Sequence, residues 1–126
     1  MGKKITKIGV LTSGGDAPGM NAAIRAVVRT CAYYNIECVG IYRGYQGLIE
    51  GDFVRLNARK VSNIINRGGT MLKSARSKDF RTLEGRQKAH KNLLKEEIDA
   101  IVLIGGDGTF TGGMVFNKEF KFPCIG

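Results

Sequence analysis

The chain contains the stretch Ala100-Ile101-Val102-Leu103-Ile104-Gly105-Gly106-Asp107-Gly108-Thr109, in which five apolar residues run directly into a glycine-rich turn. A continuous apolar run of this length predicts a strand that is buried on both faces of a parallel sheet. Helical spacing begins after the turn, at Thr109. Strand, glycine turn and helix start together predict a phosphate site, because backbone N–H groups that no side chain shields can approach an anion closely.

Asp107 is the only charged residue in that turn. A carboxylate among phosphates is understandable if it holds Mg²⁺, which binds through one or two carboxylates together with phosphates and water. The alternative is a tight strand-to-helix turn in which Asp107 caps the helix. The turn taken alone does not separate these two interpretations.

A second glycine-rich loop follows a strand predicted over Ile5–Thr12 and reads Ser13-Gly14-Gly15-Asp16-Ala17-Pro18-Gly19-Met20-Asn21. Its spacing from Gly14 to Gly19 is close to that of a P-loop, but the Lys-Ser/Thr ending of that motif is missing. A dinucleotide fingerprint of the form GxGxxG does not occur either. The sequence therefore predicts a phosphate-binding loop of another class.

The rest of the chain alternates between predicted strands and helices. The predicted elements are a helix over Met20–Tyr33, a strand over Ile36–Tyr42, a loop over Arg43–Gly47, a strand over Phe53–Leu56 hairpinned across Glu50–Asp52, a short helix that Asn57 caps and that carries Val61 to Ile65, a surface helix over Thr82–Glu97 with Leu93 and Leu94 inward, and a helix ending at Asn117. This alternation predicts an α/β fold, a three-layer α/β/α sandwich with a mostly parallel sheet. Ligands of such sheets bind at the carboxyl ends of the strands, where we expect the loops to converge.

Composition limits the class of protein. With 126 residues, 43% of them hydrophobic, the chain is long enough for one domain with a core. The net charge of +9 favours anionic partners, but the basic residues are scattered and there is no tryptophan. We therefore expect small phosphates and no nucleic acid, with a nucleic-acid module as the alternative.

The sequence carries no sign of a membrane or secretory context. No apolar run approaches the roughly 20 residues of a membrane span, so no membrane partner is expected. Cys31, Cys38 and Cys124 are odd in number and scattered, which is typical of reduced thiols. A cytoplasmic location is the expectation.

Several single residues are weaker candidates. Arg25 and Arg29 are four residues apart on the first helix, where they either share an anion or form a solvated face. Tyr45 either lies against a ribose or base, or is a boundary aromatic residue. His90, the only histidine, is interpreted as a half-buried structural residue.

The glycine loops also carry a family resemblance. The segment Gly9-Val10-Leu11-Thr12-Ser13-Gly14-Gly15-Asp16-Ala17-Pro18-Gly19-Met20-Asn21-Ala22-Ala23-Ile24-Arg25 closely resembles the opening of bacterial ATP-dependent 6-phosphofructokinases. Further blocks resemble that family in the same order, namely Gly40–Leu48, Ile65–Thr70, Ser74–Arg76 and Ile104–Gly108. The first block is specific, whereas Gly-Gly-Asp-Gly-Thr also occurs in NAD kinases and diacylglycerol-type lipid kinases.

The resemblance implies phosphorylation of fructose 6-phosphate by magnesium-ATP to give fructose 1,6-bisphosphate, a step of glycolysis. It implies that Gly15 and the turn Gly106, Asp107, Gly108 and Thr109 cradle the ATP phosphates, with Asp107 holding Mg²⁺. It implies that Arg76 reaches the transferring phosphoryl group, and that Tyr45 and Ser77 lie near the nucleotide. Positioning and electrostatic stabilisation by Mg²⁺ and arginine are what phosphoryl transfer requires.

The resemblance also implies an effector site and a homotetramer. Arg25 and Arg29 match effector-site arginines of the family, where ADP or phosphoenolpyruvate binds at a subunit boundary. Two positions depart from the family pattern: Ala58 replaces an arginine, with Arg59 beside it, and Asn63 replaces an aspartate. We take Arg59 as the third candidate effector residue.

The family places its catalytic base and most sugar-phosphate ligands after the position that matches residue 126. Residues 1–126 are thus expected to be part of an N-terminal ATP-binding domain that is inactive alone. The alternatives are a kinase of the NAD or diacylglycerol type and a non-catalytic nucleotide-binding fragment. A pyrophosphate-dependent phosphofructokinase usually has an aspartate where this chain has Gly108, so Gly108 favours ATP.

Overall fold

The computed structural model describes residues 4–13, 19–62, 71–74 and 77–126. In this part of the chain the five strands are β1 (Lys7–Thr12), β2 (Glu37–Ile41), β3 (Phe53–Leu56), β4 (Ala100–Ile104) and β5 (Cys124–Ile125). The helices are α1 (Met20–Tyr33), α2 (Gly44–Glu50), α3 (Leu83–Lys95) and α4 (Asp107–Phe120), with a 3-10 turn at Asp79–Arg81. Among the described helices, none combines the length and the apolar character that a membrane span needs.

The strands form one sheet in the order β3-β2-β1-β4-β5. Every neighbouring pair is parallel except β2 and β3, which are antiparallel. The predicted mostly parallel sheet is therefore confirmed. Because Thr12 pairs with Ile104, the carboxyl ends of β1 and β4 lie side by side, and Ser13 and Gly105 are the residues that follow them.

Two apolar clusters cover the two faces of the sheet and confirm the three-layer sandwich. Successive residues of β1 point to opposite faces, so Val10 belongs to one cluster and Leu11 to the other. Helix α1 covers the Val10 face with Ile24 and Val28, both almost fully buried. Helices α2, α3 and α4 cover the Leu11 face with Leu48, Leu93 and Phe116.

The ends of two strands differ slightly from the prediction. Strand β1 begins at Lys7 instead of Ile5, because the Asp99 carboxylate accepts hydrogen bonds from the backbone N–H groups of Thr6 (2.8 Å) and Lys7 (3.1 Å). Strand β4 has the predicted bounds, Ala100–Ile104, but its second face is only half covered at Val102 and Ile104. The expectation of complete burial on both faces was therefore wrong.

The segment predicted as a loop over Arg43–Gly47 is the start of helix α2, and the loop prediction was wrong. Arg43 (φ 59°) and Gly44 (φ 59°) turn the chain in the left-handed region, and Leu48 then packs into the core. A Cβ atom at Gly47 would lie 1.7 Å from the Tyr42 carbonyl oxygen, so this close approach requires glycine. Helix α2 also separates β2 from β3, which pair as predicted but not through a simple hairpin.

The helical segments differ from the prediction in three further details. Leu94 was expected inward but is 58% exposed, because the buried stripe of α3 is Gly85, Ala89 and Leu93. Helix α4 begins at Asp107 and ends at Phe120, three residues beyond the predicted Asn117. The short helix predicted after Asn57 is a series of turns up to residue 62, where Asn57 Oδ1 accepts from Lys60 N at 2.9 Å, and residues 63–70 lie outside the described part.

His90 occupies the structural position expected for it, and it makes the stability of the fold depend on pH. Its ring stacks on Phe120 at 4.6 Å, near Phe116 and Phe122. Desolvation lowers the pKa of His90 below its usual value of 6.5. The unfolded chain therefore binds this proton more tightly, so the stabilising contribution is complete above pH 6.5 and is lost as the pH falls through that value.

We expect the His90→Phe variant to lose less stability than wild type between pH 7.5 and 5.5. Urea unfolding at both pH values measures the difference. The carboxylates titrate in both proteins, so the comparison isolates His90. Identical pH slopes would contradict the role assigned to this residue.

Candidate phosphate-binding cleft

Ser13, the residue after β1, is held against the end of β4. The Ser13 N–H donates to the Ile104 carbonyl oxygen at 2.9 Å. A Cβ atom at Gly105 would lie 2.4 Å from Thr109 Oγ1 and 2.5 Å from the Ser13 carbonyl oxygen. Glycine at position 105 is therefore required by packing, and it lets Ser13 and Thr109 come close to the backbone after β4.

Gly106 and Gly108 differ from Gly105 in this respect. A Cβ atom at either position would meet nothing within 4 Å. Neither residue has a positive φ, so the backbone does not demand glycine there. Glycine within a helix costs about 0.5–1 kcal/mol relative to alanine. This cost applies to Gly108, inside the first turn of α4, whereas Gly106 precedes the helix at a position that glycine suits. The space beside both glycines is open to a ligand.

The first turn of α4 provides a positive helix end beside this space. Gly106 is the N-cap residue, and no side chain caps the helix. The N–H groups of Thr109 and Phe110 both donate to the Gly106 carbonyl oxygen, at 3.0 and 3.2 Å. The N–H groups before them have no partner inside the helix, so they are available to an anion.

Asp107 is the first residue of α4, and Gly106 is the N-cap residue. The alternative interpretation, in which Asp107 caps the helix, was therefore wrong. The Asp107 side chain is exposed and pairs with no other residue of the described part. A carboxylate in the first turn of a helix is favourable with respect to the helix dipole. Asp107 therefore has its oxygens available to a cation held beside bound phosphates.

The fit of Asp107 to Mg²⁺ rests on the donor set. Clusters of three or more His, Cys, Asp or Glu side chains that could hold a metal ion do not occur in residues 4–13, 19–62, 71–74 and 77–126. Mg²⁺ does not need such a cluster, because it keeps several waters and binds through one or two carboxylates plus substrate phosphates. One exposed carboxylate beside two open glycines fits that mode of binding.

These elements surround a cleft of about 1020 Å³. Its walls come from the ends of β1 and β4, from α2, from the 3-10 turn, and from the starts of α3 and α4. The cleft brings together five of the predicted nucleotide-site residues, namely Tyr45, Ser77, Gly106, Gly108 and Thr109. Gly15 and Arg76 lie outside the described part of the chain, so their predicted roles stay predictions.

Tyr45 is a structural wall of the cleft. It is 7% exposed, it stacks on Phe80 at 4.0 Å, and its hydroxyl donates to the Thr109 carbonyl oxygen. Burial raises the pKa of the phenol, which therefore stays protonated and keeps donating. Tyr45 thus fixes α2 to the first turn of α4, and little of its ring remains for a ligand.

Two arginines of the cleft were missed by the sequence analysis. Arg81 is exposed at the end of the 3-10 turn, and its side chain pairs with no other described residue. Arg86 is held by Glu119, to which it donates two hydrogen bonds, and by the Phe80 carbonyl oxygen at 2.9 Å. Thr82 Oγ1 accepts from Gly85 N at 3.0 Å and caps α3 where that helix was predicted to begin, but the cap itself does not mark the two arginines as residues of the cleft.

The three predicted effector residues do not line this cleft. Arg25 and Arg29 lie on α1, and Arg59 lies in the turns after β3. Arg29 and Arg59 are exposed, whereas Arg25 Nε is buried and has no hydrogen-bond partner among the described residues. The separation of these arginines from the cleft is compatible with nucleotide binding in the cleft and effector binding at the arginines. The effector role stays a prediction.

A glycine-lined cleft at the carboxyl ends of parallel strands, beside a helix N-terminus, is typical of phosphate-binding α/β domains. The phosphofructokinase (PFK) family profile matches residues 7–126, and the chain belongs to this family. That match includes both glycine-rich loops. The alternative of a kinase of the NAD or diacylglycerol type, which rested on the second loop alone, is therefore not supported.

Individual relatives agree with this assignment. The chain is 59% identical over 119 residues to ATP-dependent 6-phosphofructokinase 2 of Bacteroides thetaiotaomicron, covering 94% of this chain and 36% of that protein. The crystal structure of Pichia pastoris phosphofructokinase in the T-state superposes with a TM-score of 0.89 at 42% identity, covering 98% of this chain and 13% of that one. The chain thus spans little more than a third of the length of its bacterial relatives.

The fold alone does not identify the phosphoryl donor. A pyrophosphate-dependent phosphofructokinase from Marinobacter aquaeolei has the same fold, with a TM-score of 0.82 at 17% identity over 97% of this chain and 33% of that chain. The donor must therefore be argued from residues of the cleft.

Proposed function

We propose that the protein is an ATP-dependent 6-phosphofructokinase, which transfers the terminal phosphoryl group of ATP to fructose 6-phosphate. The observation that carries the proposal is the glycine turn after β4, beside Ser13 at the end of β1, where Gly106 and Gly108 leave open space at the start of α4. The names of the bacterial relatives support this activity.

The residues of the cleft would act mainly by binding and orientation. The N–H groups at the start of α4 would bind phosphate oxygens, and the absent side chains of Gly106 and Gly108 would let those oxygens approach the backbone. The unpaired guanidinium of Arg81 would neutralise phosphate charge. Gly15 and Arg76 are proposed to contribute in the same way.

Mg²⁺ is the proposed cofactor, held by Asp107. Bound there with the nucleotide, the ion would neutralise charge that develops on the phosphates during transfer. Asp107 has no competing partner among the described residues, so its carboxylate is available for this role.

The remaining proposals concern regulation, assembly and location. ADP or phosphoenolpyruvate would bind at Arg25, Arg29 and Arg59, and the unpartnered Arg25 Nε supports an anion there. A homotetramer and a cytoplasmic location are proposed by resemblance to the family. Because Ala58 and Asn63 depart from the family pattern at effector positions, binding of ADP and of phosphoenolpyruvate would be measured separately.

The full-length protein, assayed with magnesium-ATP and fructose 6-phosphate, tests the proposal. A coupled assay for fructose 1,6-bisphosphate should show turnover, whereas NAD and diacylglycerol should not be phosphorylated. Tight binding of ATP without turnover would instead identify a non-catalytic nucleotide-binding protein. Turnover of NAD or of a lipid would overturn the assignment of substrate.

A further inference from the structure

A chain of polar side chains leads from the protein surface to Ser77 on the wall of the cleft. Ser77 Oγ lies 2.8 Å from Gln46 Oε1, and Gln46 Nε2 lies 2.7 Å from Glu50 Oε2. Arg43 closes the outer end, where its guanidinium bonds the other oxygen of Glu50 and, at 3.2 Å, a carboxylate oxygen of Asp52. The contact between Gln46 and Ser77 therefore joins α2 to the segment before the 3-10 turn.

The direction of each hydrogen bond in this chain is fixed from its outer end. Bonds from Gln46 and Arg43 hold the pKa of the Glu50 carboxyl below its usual range, so Glu50 is ionised and only accepts. Gln46 must then present its amide NH₂ group to Glu50 and its carbonyl oxygen to Ser77. Ser77, in turn, must donate its single hydroxyl proton to Gln46.

Ser77 is left with acceptor capacity alone. The Phe80 N–H approaches Ser77 Oγ at 3.3 Å and uses one lone pair. Ser77 lines the cleft, so its hydroxyl can offer a ligand only the remaining lone pair. Ionised phosphate oxygens are acceptors too, and two acceptors cannot form a hydrogen bond.

We propose that Gln46 is a positioning residue that makes Ser77 an obligatory acceptor, so that Ser77 receives a hydrogen-bond donor of the nucleoside and not a phosphate oxygen. The inference rests on the proposed function, because it takes ATP as the ligand of the cleft. The donors of the nucleoside are the two ribose hydroxyls and the amino group of adenine. Phosphate binding is left to the glycine-rich side of the cleft, at the start of α4.

The test compares magnesium-ATP with three analogues, each lacking one donor: 2′-deoxy-ATP, 3′-deoxy-ATP and purine riboside triphosphate, which lacks only the amino group of adenine. Dissociation constants, KM and kcat are measured on the full-length protein. Wild type should bind one analogue about 3- to 10-fold more weakly than ATP, the usual effect of one lost hydrogen bond. Ser77→Ala should bind ATP as weakly as that analogue, whose own affinity should stay nearly unchanged.

Glu50→Gln reverses the direction of the chain without changing its shape. Arg43 then donates to the carbonyl oxygen of the new amide at position 50. The NH₂ group of that amide donates to the carbonyl oxygen of Gln46, so the Gln46 side chain is flipped and presents its own NH₂ group to Ser77. Ser77 becomes a donor, and discrimination against the sensitive analogue should fall to about 1-fold while kcat changes little. Glu84→Gln, an exposed glutamate on α3, is the matched control and should keep the wild-type ratio.

Gln46→Met is the second variant, in case Glu50→Gln perturbs the fold, and it should reduce the discrimination by freeing the hydroxyl of Ser77. If both variants keep the wild-type ratio while Ser77→Ala loses it, Gln46 has no positioning role. If wild type binds all four nucleotides equally, Ser77 accepts no nucleoside donor. In either case ATP binding and turnover would still support the proposed function, whereas a wild type that binds none of the four nucleotides would overturn both.

Discussion

Replacing Asp107 with alanine is expected to remove nearly all kinase activity of the full-length protein while leaving its fold intact. The carboxylate is exposed and pairs with no described residue, so no packing depends on it. Losing the proposed hold on Mg²⁺ should raise the barrier to phosphoryl transfer by several kcal/mol, which corresponds to about a thousandfold lower kcat. Coupled assays and thermal unfolding measure the two effects separately.

The control for this variant is Glu84→Ala. Glu84 is also an exposed acidic residue in the first turn of a helix, but it lies on α3, where its partner is Lys88 at 3.9 Å. Both variants should lose a similar, small helix-dipole contribution of about 0.3–1 kcal/mol to stability. Only Asp107→Ala should lose activity, and normal activity in that variant would contradict the metal role.

Gly108→Asp is expected to lower the ATP-driven rate by several orders of magnitude. A carboxylate there would point into open space, beside the site proposed for the phosphates. At an effective dielectric constant near 20, two like charges about 4 Å apart repel by roughly 4 kcal/mol before screening. Wild type should use ATP and hardly use pyrophosphate, and assays with both donors and fructose 6-phosphate measure this preference.

Two alanine variants distinguish the effect of added side-chain volume from the effect of added charge at this turn. Gly108→Ala should fold at least as stably as wild type, because the added Cβ atom meets nothing within 4 Å. Gly105→Ala should be destabilised, since its Cβ atom would lie 2.4 Å from Thr109 Oγ1. An unchanged ATP rate in Gly108→Asp would show that position 108 does not face the phosphates, and a wild type faster with pyrophosphate would overturn the donor assignment.

The parts of the fold that could be predicted are those with strong local periodicity. Helix α1 has the predicted bounds because Met20, Ile24 and Val28 repeat at helical spacing. Strand β4 has the predicted bounds because an apolar run ends at Gly105. Helix α2 was missed because two of its seven residues are glycines and because its formation depends on packing of Tyr45 and Leu48 in the core, which no local pattern reports.

The site shows the same division. The glycine turn at Gly106 and Gly108 was predictable, because it directly follows the apolar run of β4. Arg81 was not, since its position on the cleft depends on a 3-10 turn between a polar loop and α3. The bond between Gln46 and Ser77 joins residues 31 positions apart, and no motif marks it.

The stacking of Tyr45 on Phe80 also has a spectroscopic consequence. The chain has four tyrosines and no tryptophan, and Tyr33 and Tyr34 are 81% and 65% exposed, away from the cleft. Tyr42 is half-buried, so Tyr45 is the most buried of the four tyrosines, and it is stacked on an aromatic ring. Its near-ultraviolet circular dichroism therefore serves as a built-in optical reporter, by which occupancy of the cleft can be followed without any attached dye.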